Sequence, residues 1–367
     1  MRRQARKQLE QIMTKTNRVG PHTAGMLMAS AISLGAMTGG ALADGELNLY
    51  NWSNYFSPEL LERYEKETGT RVTVDNYASE EDLLAKLQAG GGGYDVIFPG
   101  TTTLGVMVEK GMLAKIDVNQ MENFKNLLPA FTTIAGDEDR TYSAPYMWGT
   151  TGFTYDPAMV PGGKLEDSWK AIFEPADELK GNIAMLNEMS DVWNAAAYYT
   201  GVSKCTEDPA EAQKILDVLM AQKPHVKLYS NDGTIDRMIA GEVAVHMQWN
   251  GAAHRVKAEK PNAVYVYPAE GTTFWTDVIA VPKDAPNLEE AKAFVNWMMS
   301  PEVAAAASNY TGYSNAVAGS GEFLKDDLKA DPAVNTPAEY NDRLRAFENC
   351  SPASKDLREK VWTKLKS

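Results

Sequence analysis

Cysteine is nearly absent: the 367-residue sequence has two, Cys205 and Cys350, beside four histidines, His22, His225, His246 and His254. Two distant thiols, and histidines without HExxH or CxxC company, supply no metal cluster. Neither a metal nor another cofactor is therefore expected, and His225, His246 and His254 read as surface or packing residues. Basic charge is also scarce, with 36 Lys+Arg against 49 Asp+Glu, net −13; beyond Ala43 the count is 30 against 48, net −18. A chain this acidic does not hold nucleic acid or an anionic membrane surface through bulk electrostatics. Its acidity suits solubility, and it equally suits a cationic ligand. After residue 43 no run is long and apolar enough to cross a bilayer. Hydrophobic residues make up 44% of the chain, enough for cores in about two domains.

The N-terminus differs from the rest. Arg2, Arg3, Arg6, Lys7, Lys15 and Arg18 precede Val19 to Ala43, a stretch free of Lys, Arg, Asp and Glu that ends Ala41-Leu42-Ala43. This is the pattern of an export signal cleaved before Asp44. The stretch approaches the ~20 residues of a membrane span, but its Gly, Ser and Thr content favours cleavage. No Cys stands at the cleavage point to carry a lipid. Cys205 and Cys350 both lie in the exported part, where an oxidising compartment permits one disulfide. The sequence leaves open whether they meet.

The mature chain alternates strand and helix signals. Leu47 and Leu49 open a strand; Ser57 caps a helix with Pro58 at its first position, Leu60, Leu61 and Tyr64 on one face, and Gly69 at its end. Arg71 to Val74 is a β-branched run, Ser79 caps a second helix with Leu83, Leu84 and Leu87 inward, and Tyr94 to Phe98 is a buried strand. Gly90 to Gly93 lacks the Lys and Ser/Thr of a phosphate loop and reads as a connector. Further strands are expected at Ile183–Leu186, Val243–Met247 and Asp277–Pro282. Helices are expected at Val192–Tyr199, Ala210–Met220 and Leu288–Met299, with a polar C-terminal helix presenting Trp362 and Leu365. Short β-α-β connections predict a parallel sheet with right-handed crossovers.

In open α/β sheets, ligands sit beyond the carboxyl ends of strands. Trp52, Ser53, Asn54 and Tyr55 follow the first strand, and Thr101 to Thr103 follow Phe98. Glu188 and Asp191 follow Leu186, Trp249 follows Met247, and Trp275 and Asp277 flank the start of another strand. Aromatic faces attract alkylammonium groups, and a buried carboxylate calls for a cation or full hydrogen bonding. A cleft built from these segments suits a small polycation.

Several stretches, taken in order, resemble the periplasmic spermidine/putrescine-binding proteins. They are Leu49-Tyr50-Asn51-Trp52-Ser53-Asn54-Tyr55, Tyr64-Glu65-Lys66-Glu67-Thr68-Gly69 and Tyr94-Asp95-Val96-Ile97-Phe98-Pro99. Ala144-Pro145-Tyr146-Met147-Trp148-Gly149-Thr150-Thr151-Gly152, Asp167-Ser168-Trp169, Trp249-Asn250-Gly251 and Thr311-Gly312-Tyr313 continue the series. The resemblance implies a non-enzymatic, monomeric solute receptor of an ABC importer with the two-lobe α/β periplasmic-binding-protein fold, closing about a hinge on an interlobe cleft. One lobe would comprise 44–150 plus about 276–320, the other about 151–275 plus about 321–367. An inner-membrane ABC permease would be its partner. Trp52, Trp249, Trp275 and Tyr313 would form aromatic walls, Asp277 would hold one ammonium, and Glu188 with Asp191 the other end, a spermidine-like arrangement. Ser53, Tyr55, Thr101, Thr102 and Glu348 would add polar contacts. Asn54 stands where relatives carry an acid, Thr103 where they carry a ring, and Ala252 where putrescine binders carry Asp, so another amine-bearing solute is the alternative. Tyr198-Tyr199 resembles the tyrosine pair of ferric-iron receptors, and Glu188 with Asp277 could form the acid/base pair of a secreted hydrolase.

Overall fold

The computed structural model describes residues 45–367 apart from Gly91 and Phe347. The export signal expected over residues 1–43 lies outside the described residues.

Eleven strands form one sheet among the described residues. In chain order they are β1 (Glu46–Trp52), β2 (Arg71–Tyr77), β3 (Val96–Ile97), β4 (Ser143–Tyr155), β5 (Ile183–Met185), β6 (Val226–Tyr229), β7 (Val245–Trp249), β8 (Val264–Val266), β9 (Thr272–Ala280), β10 (Ser314–Asn315) and β11 (Leu344–Ala346). The path runs β2-β1-β3-β9-β4-β7-β5-β6. β1 pairs parallel with β2 and β3 at one end, and β5 pairs parallel with β6 and β7 at the other. Between them, β9 and β4 pair antiparallel with each other and with the flanking strands β3 and β7. The parallel sheet expected from the opening β-α-β-α-β stretch is present in β1, β2 and β3, and the sheet as a whole is mixed: two parallel half-sheets joined by two antiparallel crossing strands.

The physical reason is legible in β4. All thirteen of its residues are buried, Thr150, Thr151 and Thr154 included, so it shows neither polar alternation nor a continuous apolar run. The strand expected to begin at Asp277 likewise begins earlier, at Thr272, because the half-polar stretch Thr272–Thr276 pairs with β4 and is hidden by it.

Local signals hold elsewhere. Helix α1 (Pro58–Thr68) begins where the Ser57 hydroxyl accepts the Leu60 N–H at 3.2 Å, and it ends at Gly69 with φ 78°. It buries Leu60 and Tyr64. Helix α2 (Glu80–Gln88) is capped by the Ser79 hydroxyl accepting the Asp82 N–H at 3.1 Å. Helix α3 (Thr101–Glu109) follows β3 directly. On the other half, α4 (Met189–Thr200) and α5 (Pro209–Gln222) cover β5 and β6, and α6 (Asn250–Glu259) follows β7. Helices α7 (Leu288–Met298) and α8 (Pro301–Thr311) return to the first half, and the second of these was not expected from the sequence. The last helix, α9 (Pro352–Lys366), buries Val361 and Leu365.

Two main cores result. One gathers Leu47, Leu49, Tyr64, Phe98, Phe294 and Val303 around the first half-sheet; the other gathers Phe153, Trp169, Met185, Trp193, Ile215 and Leu365 around the second. The chain is thus a two-lobe α/β fold in which α9 packs with the second core. Cys205 and Cys350 form a disulfide that joins the loop after α4 to the chain just before α9. His246 is packed in the interior between the Met247 carbonyl and Arg237, and burial lowers its pKa to about 3.

Candidate functional site

The cavity between the two halves has a volume of about 300 Å³. All thirteen residues singled out from the sequence border it: Trp52, Ser53, Asn54, Tyr55, Thr101, Thr102, Glu188, Asp191, Trp249, Trp275, Asp277, Tyr313 and Glu348. Most come from strand ends and helix starts, as the geometry of an open α/β sheet requires; Trp275 and Asp277 stand within β9, and Tyr313 follows the end of α8. Thr103 and Ala252 border it too.

Its walls are aromatic and fixed from behind. The Trp52 indole N–H donates to the Phe98 carbonyl at 3.1 Å, and its ring leans on Tyr77 at 4.6 Å and faces Trp249 edge-on at 6.3 Å. Trp275 meets Tyr313 at 5.2 Å, and Tyr313 meets Tyr55 at 5.6 Å. Two glycines permit this packing. A Cβ at Gly251 would lie 2.4 Å from the Tyr313 ring, and Gly312, at φ 82°, would place one 2.5 Å from the Gly251 carbonyl oxygen. The Trp-Asn-Gly and Thr-Gly-Tyr stretches noted in the sequence are the two sides of one close contact. Asn54 adopts φ 57°, a left-handed conformation that Asn tolerates better than most residues, and its carbonyl accepts the Arg255 guanidinium at 3.3 Å.

The floor is acidic. Asp277 accepts the Tyr55 hydroxyl at 2.6 Å, and among the described residues its carboxylate has no cationic partner. Loss of bulk water raises its pKa well above the ordinary carboxylate value, and the nearby Glu80 and Asp191 push it the same way. Glu188, 5% exposed, accepts the Ser190 hydroxyl at 3.4 Å and lies close to Glu80 of the opposite lobe. Burial first, then Glu81, Glu80 and Asp191, raise its pKa well above the usual range. Asp191 is held differently from the sequence expectation of a free ammonium grip. It accepts the Thr151 hydroxyl at 2.8 Å and the Trp249 indole N–H at 2.9 Å, so it fixes the Trp249 ring, and burial raises it to about 6. Thr101 spends its hydroxyl on the Thr276 carbonyl at 2.6 Å, which ties α3 to β9. Glu348 faces Lys204 at 3.8 Å.

Sequence reasoning missed Tyr77, Glu80, Glu81, Arg255 and Arg358, which also line the cavity. Glu80 and Glu81 stand in the first turn of α2, where acidic residues ordinarily complement the helix dipole, so nothing local marked them. Burial raises Glu80 to about 7. Tyr198 and Tyr199, by contrast, do not border the cavity: Tyr198 is packed against Gly271, and Tyr199 tilts onto Phe173 at 5.4 Å.

These raised carboxylates fix the sign of a pH effect. Glu80 and Asp191 bind protons in the folded state up to about pH 7 and 6, whereas unfolded Glu and Asp release them near 4.5 and 3.8. In that window these acids carry more protons in the native state and make stability fall as pH rises; buried His246, lowered to about 3 against 6.5 unfolded, opposes them below about pH 6.5 as a single group against several acids. Ligand-free protein is expected to gain thermal stability on going from pH 8 to pH 5, as read by calorimetric unfolding. Asp331, lowered to about 2 with His254 and Lys257 as partners, acts oppositely, but only below about pH 4. A melting temperature that rises monotonically from pH 5 to 8 would show that the cleft acids are ionised without ligand.

An acidic, ring-walled cleft between two α/β lobes defines a receptor for a small cationic solute. The sequence profile of bacterial extracellular solute-binding proteins matches residues 59–336, and the chain belongs to that family. Curated relatives include the putrescine-binding periplasmic protein SpuD of Pseudomonas aeruginosa, 32% identical over 88% of this chain and 92% of that one. The spermidine/putrescine-binding periplasmic protein of Escherichia coli is 31% identical over 93% of this chain and 97% of its own length. Among solved structures, the spermidine/putrescine ABC transporter substrate-binding protein PotD of Streptococcus pneumoniae superimposes with a TM-score of 0.71 at 28% identity, covering 88% of this chain and 98% of that one. Among the described residues no helix is long and apolar enough to cross a membrane.

Proposed function

We propose that this chain is the periplasmic solute receptor of an ABC importer, that its cleft takes a polyamine of the spermidine or putrescine class, and that it delivers this ligand as a monomer to an inner-membrane permease. The observation that carries the reading is the set Asp277, Glu188 and Asp191, desolvated together among tryptophan and tyrosine faces. Such a set is costly alone and is relieved by ammonium groups on an apolar chain. Relatives at about 30% identity along nearly the whole chain bind ligands of that class by name, which supports the same reading.

The lobes are proposed to comprise 44–150 plus about 276–320 and about 151–275 plus about 321–367. The two separate cores support this division. A contact already spans the cleft: Asn231 donates to the Ala78 carbonyl at 2.7 Å. Ligand completes the half-sites on both lobes and so favours the closed form, provided it binds that form better than the open one. The carboxylates act as electrostatic clamps, and no turnover is proposed.

Protein refolded free of ligand is tested by thermal shift and calorimetry against putrescine, cadaverine, spermidine, spermine, a betaine and ferric citrate. Stabilisation by RT ln(1 + [L]/Kd) reaches about 4 kcal/mol at a thousandfold excess over Kd, so a tight polyamine is visible. No shift with any polyamine would overturn the ligand class while leaving the receptor fold intact.

A further inference from the structure

Glu80 is the cleft acid with no counterpart in the sequence reading, and its geometry is specific. Its Oε1 accepts the Gly100 N–H at 2.7 Å, and the Thr103 side chain lies close to the carboxylate. Its Oε2 is buried without any hydrogen-bond partner. The same Gly100 locates it beside Asp277: a Cβ placed there would lie 3.1 Å from Glu80 Oε1 and 3.4 Å from Asp277 Oδ1. Glu188, which lines the same cavity from the opposite lobe, likewise has an Oε2 that is buried and unpartnered. Glu80 therefore stands close to both acids expected to hold the two ends of a ligand, and it raises the proton affinity of both. Among the described residues no Lys, Arg or His forms an ion pair with any of the three.

We propose that Glu80 is a specificity-determining carboxylate that receives an internal amine of the ligand, so that the cleft selects a polyamine with three cationic centres over a diamine. This rests on the polyamine reading of the site. A diamine satisfies Asp277 and Glu188 and leaves the Glu80 oxygen facing only like charge or a bound proton. A triamine carries a third cation within its chain, which the Glu80 carboxylate beside Asp277 is placed to receive. The Thr103 side chain close to the carboxylate contributes: at this position the chain has a small hydrogen-bonding side chain, which leaves room for Glu80 to reach the cleft.

The test is calorimetric titration of wild type and Glu80→Gln with spermidine and with putrescine. Glutamine keeps an oxygen for the Gly100 N–H and the same volume, so the loop stays in place. Spermidine affinity is expected to fall at least tenfold and putrescine affinity less than threefold. Unchanged spermidine affinity, or equal losses for both ligands, would overturn the proposal; the second result would make Glu80 a support for the Asp277 loop. If wild type binds neither amine, the polyamine reading itself fails and this inference falls with it. Thr103→Val supplies an independent check, with a smaller loss expected for spermidine alone.

Discussion

Replacing Asp277 with Asn is expected to weaken polyamine binding by tenfold to a hundredfold while raising the melting temperature of the ligand-free protein. The two effects share one cause. Asp277 is a charged group drawn out of bulk water, with the Tyr55 hydroxyl as its hydrogen-bond donor and Glu80 and Asp191 as like-charged neighbours. Without ligand, its charge is a cost, which the raised proton affinity already expresses. Asn keeps an oxygen for the Tyr55 hydroxyl and removes the repulsion. With ligand, the same charge meets an ammonium group between the Trp275 and Tyr313 rings. A hydrogen bond to a charged group is worth about 1.5–3 kcal/mol, which converts to roughly tenfold to a hundredfold in Kd. Titration calorimetry and thermal unfolding of the ligand-free forms, both at pH 7.5, measure the two arms. Near-wild-type affinity would remove Asp277 from the ligand site. A lower melting temperature together with lost affinity would instead make it a structural acid whose removal disturbs β9.

Breaking the Cys205–Cys350 bond is expected to lower the unfolding free energy by about 2–5 kcal/mol, the usual cost of losing a native disulfide. The bond closes a loop with a sequence separation of 145, near the upper end of what chain entropy rewards. Its position adds a second consequence. The bond pins the segment that carries Glu348 and leads into α9, beside Lys204, whose backbone carbonyl also accepts the Trp193 indole N–H at 2.8 Å. Freed from that anchor, the C-terminal segment is expected to leave the cavity rim and weaken ligand binding by a few-fold. Urea unfolding of oxidised protein and of a Cys205→Ser/Cys350→Ser variant measures the first effect through the transition midpoint. Coincident unfolding curves would show that packing of Val361 and Leu365 alone holds the segment.

The two effects differ in where they were visible. Asp277 lies at the start of an apolar run, so its place in the sheet could be read directly, although β9 begins earlier, at Thr272. Trp52 and Trp249 close buried strands and Glu188 follows one. The disulfide was open in the sequence, because two cysteines 145 residues apart carry no local signal of meeting. Asp191 borders the cavity, as its place after Leu186 suggests, but its task depends on Thr151 and Trp249, 40 and 58 residues away. Glu80 was overlooked because the first turn of a helix is an ordinary place for an acid.

What the sequence alone determined is everything governed by neighbours along the chain. The Ser57 and Ser79 caps, the Gly69 stop and the buried runs of β1 and β5 follow from backbone hydrogen bonding and side-chain period, which act over a few residues. Only the tertiary structure decided that β4 and β9 cross antiparallel between two parallel halves, that Cys205 meets Cys350, and that Glu80, Glu188 and Asp277 share one cleft. These depend on distances between segments far apart in sequence. Desolvation and Coulomb repulsion, which make those acids costly without a cation, exist only once folding has brought them together.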